Sequence, residues 1–522
     1  MRINKILLSA LFASLFVSCA NDDNEGNGVS FPTEVEDSYI AVNVKSNNGT
    51  RATDGGFDEG EGGESTVSSV HFFFFDANGN PFPINESTLT PGEAPSDKNY
   101  YVKTVGTTPS TGNVENISDA VIVLQNAKGK LPEKLVAVVN IDYNGDAISH
   151  ANLKAKLVDA ATASADGKFV MSNSVYMYEG EVFDATPITL ENIATSEDIA
   201  KQKPVDIYVE RVAAKVTVKS QETKFDTGIQ FNGSNVYAVV QGWALNTTMS
   251  HSSLIKSIDE SWSATGTPGF AWNDAVNYRS YWSQSVAADG TDVTLAKSFK
   301  LDDINGANLN KSLYCLENTA AAGLDNSDNT KVIVAVKYEA NNSPVEIVQL
   351  LSEYMTVEGL KNTIANSLSA YWYEDGVNKV KLTPECIELV ASTENSYEMT
   401  YKLTAAAEAL TWHKSSDNGN SFTAETAANI NAYMATFHAA KVWKDGGYYF
   451  LNVEHLKDGL AGVVRNHSYE ITVDGVTGLG TPVYDGAVVI PEPVKPTEDE
   501  SFIAARVNVL SWKVVSQNVT LK

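Results

Sequence analysis

Residues 501–522 read SFIAARVNVLSWKVVSQNVTLK, and their apolar side chains alternate as they do in extended strands. The alternation changes phase near Ser511, so the segment predicts two β-strands joined at a kink or bulge. The apolar residues of these strands are Val507, Val509, Leu510, Trp512, Val514, Val519 and Leu521. A chain that ends in such strands indicates a β-rich fold.

The segment before these strands is a tether. Residues 490–500 read IPEPVKPTEDE, and their three prolines and four carboxylates exclude a helix and favour an extended, solvated conformation. Two interpretations of the C-terminal strands follow. They could close the sheet of their own domain, which is the ordinary role of a terminal strand, or they could bind another molecule.

The N-terminus has the layout of a secretory signal. A short basic region, residues 1–5, precedes an apolar run over residues 6–17, which is shorter than the roughly 20 residues of a membrane-spanning helix. Cys19 follows the small residue Ser18, as in a bacterial lipobox, so we expect removal of residues 1–18 and lipidation of Cys19. The acidic residues 21–25 either route the lipoprotein to the cell surface or form a plain linker.

Composition limits the class of protein and its partners. The 522 residues suggest two to four domains, and 65 acidic against 38 basic residues give a formal net charge of −27. Nucleic acids and anionic membrane surfaces are therefore poor partners, and lipid on Cys19 would supply any membrane attachment. Beyond Cys19 the chain has only Cys315 and Cys386, and the sequence leaves open whether these two pair.

The first strand is predicted over residues 39–45, where Ile40, Val42 and Val44 alternate with Ala41, Asn43 and Lys45. A loop rich in glycine and acidic residues follows, and it carries Arg51 before Ala52. Exposed loops are where proteases cut, so Arg51 and Ala52 form a candidate cleavage site. The alternative is that Arg51 is an incidental loop residue.

Further β signals divide the chain into two regions. In the first region, strands are predicted over residues 67–75, 120–124, 134–140 and 205–218, with one helix through Leu153, Leu157 and Ala161. In the second, strands are predicted over residues 235–243, 331–338, 396–403, 448–453 and 468–473. Helices are expected around Leu360, Ile364 and Leu368 and around Ile430, Met434 and Phe437. The pattern predicts a mainly β fold of two tandem β-sandwich domains with short helical insertions.

Motifs for catalysis are not apparent in the sequence. It has no phosphate-binding glycine-rich loop, no nucleophile elbow and no zinc-protease motif, and its seven histidines lack metal-ligand spacing. We therefore predict no enzyme activity, no catalytic or metal-binding residue and no cofactor. The 8 Trp and 22 Tyr leave open a surface glycan-binding lipoprotein, although most such rings lie in the cores of β-sandwiches.

Several stretches together resemble the type V fimbrillins, the fimbrial shaft subunits of Gram-negative anaerobes, and in particular their short-fimbria branch. They are the lipobox cysteine, the first strand with its loop arginine, VERVAAKV at residues 209–216, VVRNHSYEITV at residues 463–473 and VNVLSWKV at residues 507–514. The likeness covers the whole chain in outline. One position departs from it, because Ser511 stands where the family's terminal strand often carries proline.

The resemblance implies donor-strand assembly. An arginine-specific protease would cut after Arg51, and the first strand, with Ile40, Val42 and Val44, would leave with the lipidated segment. The C-terminal strands of a neighbouring copy would then occupy the vacated groove. The expected organisation is a signal peptide (1–18), a lipidated propeptide with the first strand (19–51), an N-terminal β-sandwich (52–219), a C-terminal β-rich domain (220–490) and a donor segment (491–522).

The function that the resemblance implies is therefore a shaft subunit of a surface fimbria that supports adhesion. Its expected partners are copies of itself, anchor and tip subunits and the processing protease, and its expected location is the outer membrane and cell surface. A tip or anchor subunit is an alternative within the same class, since an anchor would keep its lipidated strand and a tip need not donate one.

Overall fold

A computed structural model describes residues 38–46, 64, 66–84, 98–104, 115–124, 131–178, 181–194, 196–220, 222–259, 283–286, 294–304, 306–319, 328–392, 397–455, 461–490, 502–510 and 514–516. Over these residues the chain is mainly β, as predicted, and its helices are short. The predicted positions Cys19, Arg51, Ala52, Trp512, Val519 and Leu521 lie outside the described residues.

Among the described residues, the first region contains twelve strands and three α-helices. The strands are β1 (Ser38–Ser46), β2 (Ser69–Phe75), β3 (Tyr100–Thr104), β4 (Glu115–Leu124), β5 (Lys134–Val139), β6 (Leu157–Asp159), β7 (Met171–Asn173), β8 (Tyr176–Tyr178), β9 (Glu181–Phe183), β10 (Thr186–Pro187), β11 (Ile193–Ala194) and β12 (Val205–Arg211). The helices are α1 (His150–Lys154), α2 (Ala160–Ala163) and α3 (Glu197–Ala200).

Over the part of it that the structure describes, the second region begins with ten strands. They are β13 (Ala213–Ser220), β14 (Lys224–Phe231), β15 (Ser234–Asn246), β16 (Thr248–Met249), β17 (His251–Ser253), β18 (Leu295–Ala296), β19 (Ser312–Leu316), β20 (Asn318–Thr319), β21 (Lys331–Ala340) and β22 (Ser343–Pro344).

The chain then enters a mixed segment of strands and helices before it returns to strands alone. The segment contains β23 (Ile347–Leu350), β24 (Glu353–Met355), α4 (Val357–Ser367), β25 (Tyr371–Asp375), β26 (Asn378–Lys381), β27 (Ile387–Ala391), β28 (Glu398–Leu403), α5 (Ala405–Glu408), β29 (Trp412–Lys414), β30 (Thr423–Glu425), α6 (Ala427–Met434) and β31 (Ala440–Trp443). The closing strands are β32 (Gly446–Asn452), β33 (Gly462–Val463), β34 (Ser468–Thr477), β35 (Thr481–Val483), β36 (Phe502–Leu510) and β37 (Val514–Ser516).

The first region is built on one nine-stranded sheet, here called the N-terminal sheet. Its order is β11-β1-β12-β7-β5-β2-β3, with β10 on β5 and β4 on β1. Both faces are buried, because β2 sends Phe72 and Phe74 into one core and Phe73 and Phe75 into another. A strand that is buried on both faces reads as a continuous apolar run, which explains the sequence of β2.

The second region is a sandwich of two sheets. The C-terminal sheet has the order β19-β13-β34-β36-β37, and the central sheet has the order β14-β15-β21-β32-β35 with β22 on β21. Side chains from both sheets form one core, to which Val216 and Ile471 contribute from the first sheet and Trp243 and Val334 from the second. Face-to-face packing of this kind is typical of β-sandwiches.

Residues 347–443 form a third unit, here called the inserted lobe. It holds a five-stranded sheet, β24-β23-β31-β28-β27, and a four-stranded sheet, β26-β25-β29-β30. Its own core includes Leu360 and Ile364 of α4 and Ile430 and Met434 of α6, the helical positions predicted from the sequence. The lobe leaves the sandwich after β21 and β22 and returns at β32, and β21 and β32 pair directly.

Three local predictions differ from the structure. The single helix through Leu153, Leu157 and Ala161 is wrong, because α1 ends at Lys154 and Leu157 begins β6, which pairs with β17. The single strand over residues 205–218 is interrupted at Val212, because β12 belongs to the N-terminal sheet and β13 to the C-terminal sheet. The predicted kink near Ser511 is a reversal, since β36 and β37 pair antiparallel.

The predicted boundary at residue 219 stays a prediction, as does the count of two domains. Strand β13, which the prediction assigned to the first domain, pairs with β19 and β34 of the second region. Cys315 and Cys386 are both buried and free, one in the sandwich core and the other in the core of the inserted lobe.

Candidate assembly site

Strand β1 occupies an interior position of the N-terminal sheet. It runs parallel to β12, from Val42 opposite Val205 to Ser46 opposite Val209, and its first residues pair with β11. On its other edge it runs antiparallel to β4 along its whole length, from Ser38 opposite Leu124. Within the described residues β4 pairs with no other strand. Strand β1 therefore joins β4 to the rest of the sheet.

The side chain of Ile40 packs β1 against the core of the N-terminal sheet. This side chain has no solvent exposure and belongs to the cluster that contains Phe72, Phe74 and Ile207. Burying an isoleucine of this kind contributes roughly 1.5–3 kcal/mol. Of the predicted displaced residues, Ile40 is the one whose side chain is described, while Val42 and Val44 are placed by the backbone register of β1.

The absence of β1 would leave a defined space in this sheet. Strand β12 would lose its partner from Val205 to Val209, and β4 would lose the nine residues that pair with it. Unpaired backbone N–H and C=O groups on facing strands form a template for an added strand. The space between β4 and β12 is here called the β1 position.

The C-terminal strands pair within their own chain. Strand β36 runs antiparallel to β34, from Thr477 opposite Phe502 to Ser468 opposite Leu510, with a register shift between Val473 and Gly475. Strand β37 pairs with the last three residues of β36 and forms the edge of the C-terminal sheet. The interpretation that these strands close their own sheet thus describes their position in this structure.

The structure therefore places the two sets of predicted residues in different sheets. Val507, Val509 and Leu510 lie in β36 and Val514 lies in β37, whereas Ile40, Val42 and Val44 lie in β1. The two sets are not brought together within one molecule.

Strands β1 and β36 nevertheless share length and sequence. Each has nine residues. Val42-Asn43-Val44 near the end of β1 recurs as Val507-Asn508-Val509 near the end of β36. A strand of the same length that carries the same tripeptide could form the same ladder at the β1 position. This repeated tripeptide is a signal that sequence comparison within the chain could have found.

Two of the stretches that carry the family resemblance meet where the chain passes between the sheets. The N–H of Lys215 donates to the carbonyl oxygen of His467 at 2.9 Å, and the N–H of Asn466 donates to that of Ala213 at 2.8 Å. Lys215 Nζ also lies 2.9 Å from Glu64 Oε1, and both side chains are 4% exposed. The Nε of Arg211 donates to the carbonyl oxygen of Glu64 at 2.8 Å.

Glu64, which follows Arg51 in the sequence, is therefore held at a fixed point of the structure. Its side chain binds Lys215 and its carbonyl group binds Arg211, four residues apart in one motif. Buried charges of this kind need partners, because an isolated buried charge is costly. The chain that follows Glu64 is therefore held at the junction of the N-terminal and C-terminal sheets by contacts that do not involve β1.

A second buried ion pair lies in the other motif. Arg465 forms an ion pair with Glu317, and both side chains are at most 1% exposed. Glu317 also accepts hydrogen bonds from Ser252 Oγ at 2.9 Å and Ser283 Oγ at 2.6 Å. Burial raises the pKa of the Glu317 carboxyl, but Arg465, Ser283 and Lys256 more than offset this, so its pKa lies below the usual value.

Sequence reasoning missed both ion pairs. Glu64 and Lys215 stand far apart in the chain, as do Glu317 and Arg465, and each member could equally be a surface charge. A charged residue flanked by apolar ones, such as Lys215 between Ala214 and Val216, was the available signal. Its partner depends on strand pairing that the sequence does not disclose.

Three further properties of the described residues concern metal ligands, a cysteine and membrane-spanning helices. Among them, no three histidine, cysteine, aspartate or glutamate side chains are arranged to hold a metal ion. Burial raises the pKa of the Cys315 thiol to about 12, which makes it a poor nucleophile. No helix in the described part of the chain is long and apolar enough to span a membrane.

Comparisons with known proteins gave matches among solved structures. No protein-family model matches the chain, and no curated protein does. A fimbrilin from Porphyromonas gingivalis W83 is similar over 93% of this chain and 100% of its own, with 13% identity and a TM-score of 0.38. The tip fimbrial protein Mfa3 from Porphyromonas gingivalis, with a C-terminal truncation, is similar over 90% of this chain and 99% of its own, with 10% identity and a TM-score of 0.32.

A fimbrial assembly protein from Parabacteroides distasonis ATCC 8503 is similar over 71% of this chain and 98% of its own, with 11% identity and a TM-score of 0.26. The descriptions of these structures and the resemblance noted in the sequence name the same class of protein, fimbrial proteins.

Proposed function

We propose that the chain is a structural subunit of a surface fimbria that polymerises by strand exchange. It is exported as a lipoprotein on Cys19 and cut between Arg51 and Ala52, and β1 leaves with the lipidated segment. The C-terminal segment of another copy then takes the β1 position. The fimbria supports adhesion, and its components are copies of this chain with anchor and tip subunits.

The observation that carries the proposal is the place of β1 in its sheet. A strand at the very start of the described chain is interior, parallel to β12 and antiparallel to β4. Because it is joined to the rest of the molecule through residues 47–63 alone, one cut in that segment would separate it covalently. What remains would be a folded domain with an open strand position.

Strand β36 is the natural replacement. Its nine residues match β1 in length, and its Val-Asn-Val tripeptide matches residues 42–44. Residues 491–501 can extend to about 36 Å at roughly 3.3 Å per residue, and their prolines favour extension. Release of β36 from β34 is opposed by one antiparallel ladder, since β37 belongs to the same C-terminal segment and pairs with only the last three residues of β36. Insertion at the β1 position would give β36 a ladder with β12 on one edge and with β4 on the other.

Burial of apolar side chains at the β1 position would drive exchange once β1 is gone. The seven apolar residues of the donor segment, at roughly 1.5–3 kcal/mol each, provide on the order of 10–20 kcal/mol of gross stabilisation before association entropy is subtracted. Each copy gives a strand at one end and receives a strand at the other. A head-to-tail contact of this kind that does not close into a ring produces a filament. Retention of β1 until the cut prevents polymerisation inside the cell.

The decisive experiment uses two variants that each lack one half of the exchange. Removal of residues 502–522 leaves a subunit that can receive but not give a strand, and Arg51→Ala leaves one that can give but not receive. Each alone should form no fibres. Each, added as a small fraction to wild-type subunits, should shorten the fibres seen by electron microscopy, because it ends growth at one end.

Controls separate this outcome from misfolding. Arg51→Lys should block an arginine-specific protease but leave the chain cleavable at that site by trypsin, which should restore assembly. Fibres of normal length from either variant alone would refute the proposal. The N-terminal residue of surface-extracted protein distinguishes a shaft subunit, which should begin at Ala52, from an anchor, which should keep lipidated Cys19.

A further inference from the structure

A lysine lies between two asparagines across the central sheet. Lys331, at the start of β21, pairs with Asn246 of β15 on one side and with Asn452 of β32 on the other. Directly opposed residues share one face of the sheet, and their Cβ atoms lie about 4.5–5.5 Å apart. An amine and two primary amides are thus held in one row across three strands.

The residues next to this row on the same face of the sheet are apolar. The next row inward is Ala244, Ile333 and Phe450, which belong to or pack against the core formed by Leu301, Tyr448 and Val483. The intervening residues Val332, Leu451 and Val453 point to the opposite face, into the sandwich core. Lys331 is 5% exposed and Asn246 is 2% exposed, so bulk water has little access to the amine.

The two amides differ in their hydrogen bonding. The Oδ1 atom of Asn246 accepts a hydrogen bond from Thr247 Oγ1 at 3.0 Å. The Oδ1 atom of Asn452 is buried and has no hydrogen-bond partner within the part of the chain that the structure describes. Glu454 follows Asn452 by two residues, which in an extended chain puts its carboxyl group on the same face. Adjacent positions on one face of the sheet therefore carry an amide carbonyl, an amine and a carboxyl group.

We propose that Lys331 and Asn452 form an intramolecular isopeptide bond. The Glu454 carboxylate removes one proton from Lys331 Nζ, and the amine then attacks Cγ of Asn452. The new C–N bond replaces the bond from Cγ to Nδ2, and the second amine proton passes to Nδ2, which leaves as ammonia. Atoms balance without an oxidant or a cofactor.

The bond would lie at the base of the inserted lobe. Strand β21 leads into the lobe and β32 leads out of it, so a link between them closes a covalent loop around residues 332–451. Force or heat acting on the lobe could then not pull the two strands of the central sheet apart. This inference concerns one molecule and does not depend on fimbrial assembly.

Peptide mass spectrometry of the purified full chain tests the proposal directly. Trypsin cannot cut after a modified lysine, so the digest should contain a branched peptide that joins the Lys331 and Asn452 peptides, with a mass equal to their sum less one ammonia. Asn246→Ala should keep this branched peptide, whereas Asn452→Ala should lose it and Glu454→Gln should slow or abolish its formation.

Each other outcome overturns the assignment. Cleavage after Lys331 together with an unmodified Asn452 peptide in folded wild-type protein would show that no bond forms. A branch at Asn246 would identify the wrong amide, and loss of one water instead of one ammonia would identify Glu454 as the acceptor. Because the wild-type digest alone decides the question, a variant that fails to fold does not affect the result.

Discussion

Ile40 is the residue whose environment should change most during assembly. It is fully buried against Phe72, Phe74 and Ile207, yet it belongs to the strand that we propose leaves the molecule. Ile40→Ala should destabilise the uncut chain by about 2–5 kcal/mol, because it leaves a cavity in the core. Thermal unfolding in the Arg51→Ala background, in which cleavage is blocked, measures this loss.

The same substitution should have no effect on the processed subunit, since residue 40 is then absent. Processed proteins from Ile40→Ala and from the wild type should therefore unfold at the same temperature and form equal fibres. A lasting difference between them after cleavage would contradict the departure of β1.

Glu317 makes stability sensitive to acid. Its folded-state pKa is lowered below the usual 4.5, where burial alone would raise it, because Arg465 and its other partners stabilise the anion. The stabilisation is therefore complete above pH 4.5 and is lost as the pH falls through the folded-state value. Glu317→Gln should cost about 3–5 kcal/mol near neutral pH, because it leaves Arg465 buried without its counter-charge.

Denaturant unfolding between about pH 3 and 7 tests this prediction. The free energy of unfolding should fall less steeply with decreasing pH in the variant than in the wild type. The difference in stability between the two proteins should therefore narrow as the pH falls. Glu470→Gln is a matched control, because its ion pair with Lys219 is partly exposed, at 18% and 47%, and is worth at most about 1 kcal/mol. Equal losses from both substitutions would argue against a special role of the buried pair.

At the scale of the element, strands that carry a clear periodic signal were predictable. Strands β1 and β2 and helices α4 and α6 follow from alternation or from apolar residues four apart. Local periodicity does not report which strands pair, so the sequence could not show that β4 and β12 flank β1. For the same reason the spacing of Leu153, Leu157 and Ala161 was misread as one helix, whereas pairing of β6 with β17 interrupts it.

The candidate site was predictable only in part. Alternation identified β1 and the C-terminal strands as elements, but the assignment of one as removable and the other as its replacement came from the family resemblance. The fixed point at Glu64 depends on contacts with Arg211 and Lys215, which lie about 150 residues further along the chain, and such contacts leave no local pattern.

The shared Val-Asn-Val tripeptide specifies a register for strand exchange. If Val507-Asn508-Val509 of one subunit replaces Val42-Asn43-Val44 in the same direction, Asn508 lies opposite Asp119 of β4, because Asn43 does so now. Subunits that carry both Asn508→Cys and Asp119→Cys should then form disulfides along the fibre. A non-reducing gel should show a ladder of covalent oligomers that collapses on reduction.

Moving the acceptor cysteine by one residue is the matched control. Ala120→Cys, combined with Asn508→Cys, places the two thiols on opposite faces of the sheet and should give no ladder. The native Cys315 and Cys386 do not interfere, because both are buried. Well-formed fibres without a ladder in the Asp119 variant would show that the donor inserts in another register or direction.

At the scale of the whole molecule, the strand positions and the inserted lobe occupy separate parts of the fold. Strand β1 belongs to the N-terminal sheet and β36 to the C-terminal sheet, whereas the lobe has its own two sheets and its own core. Ile347 and Trp443, which pair at the base of the lobe, belong instead to the sandwich core. We infer from this division that assembly does not require the lobe beyond its base.

Excision of the lobe tests this division. Val348 and Val442 are directly opposed on β23 and β31, so replacement of residues 349–441 by Asn-Gly should close a tight hairpin there and keep Ile347 paired with Trp443. Because β21 still pairs with β32, the shortened chain should fold and should assemble into fibres that are thinner in electron micrographs. Loss of assembly by a shortened chain with a cooperative unfolding transition would show that the lobe contributes a contact between subunits.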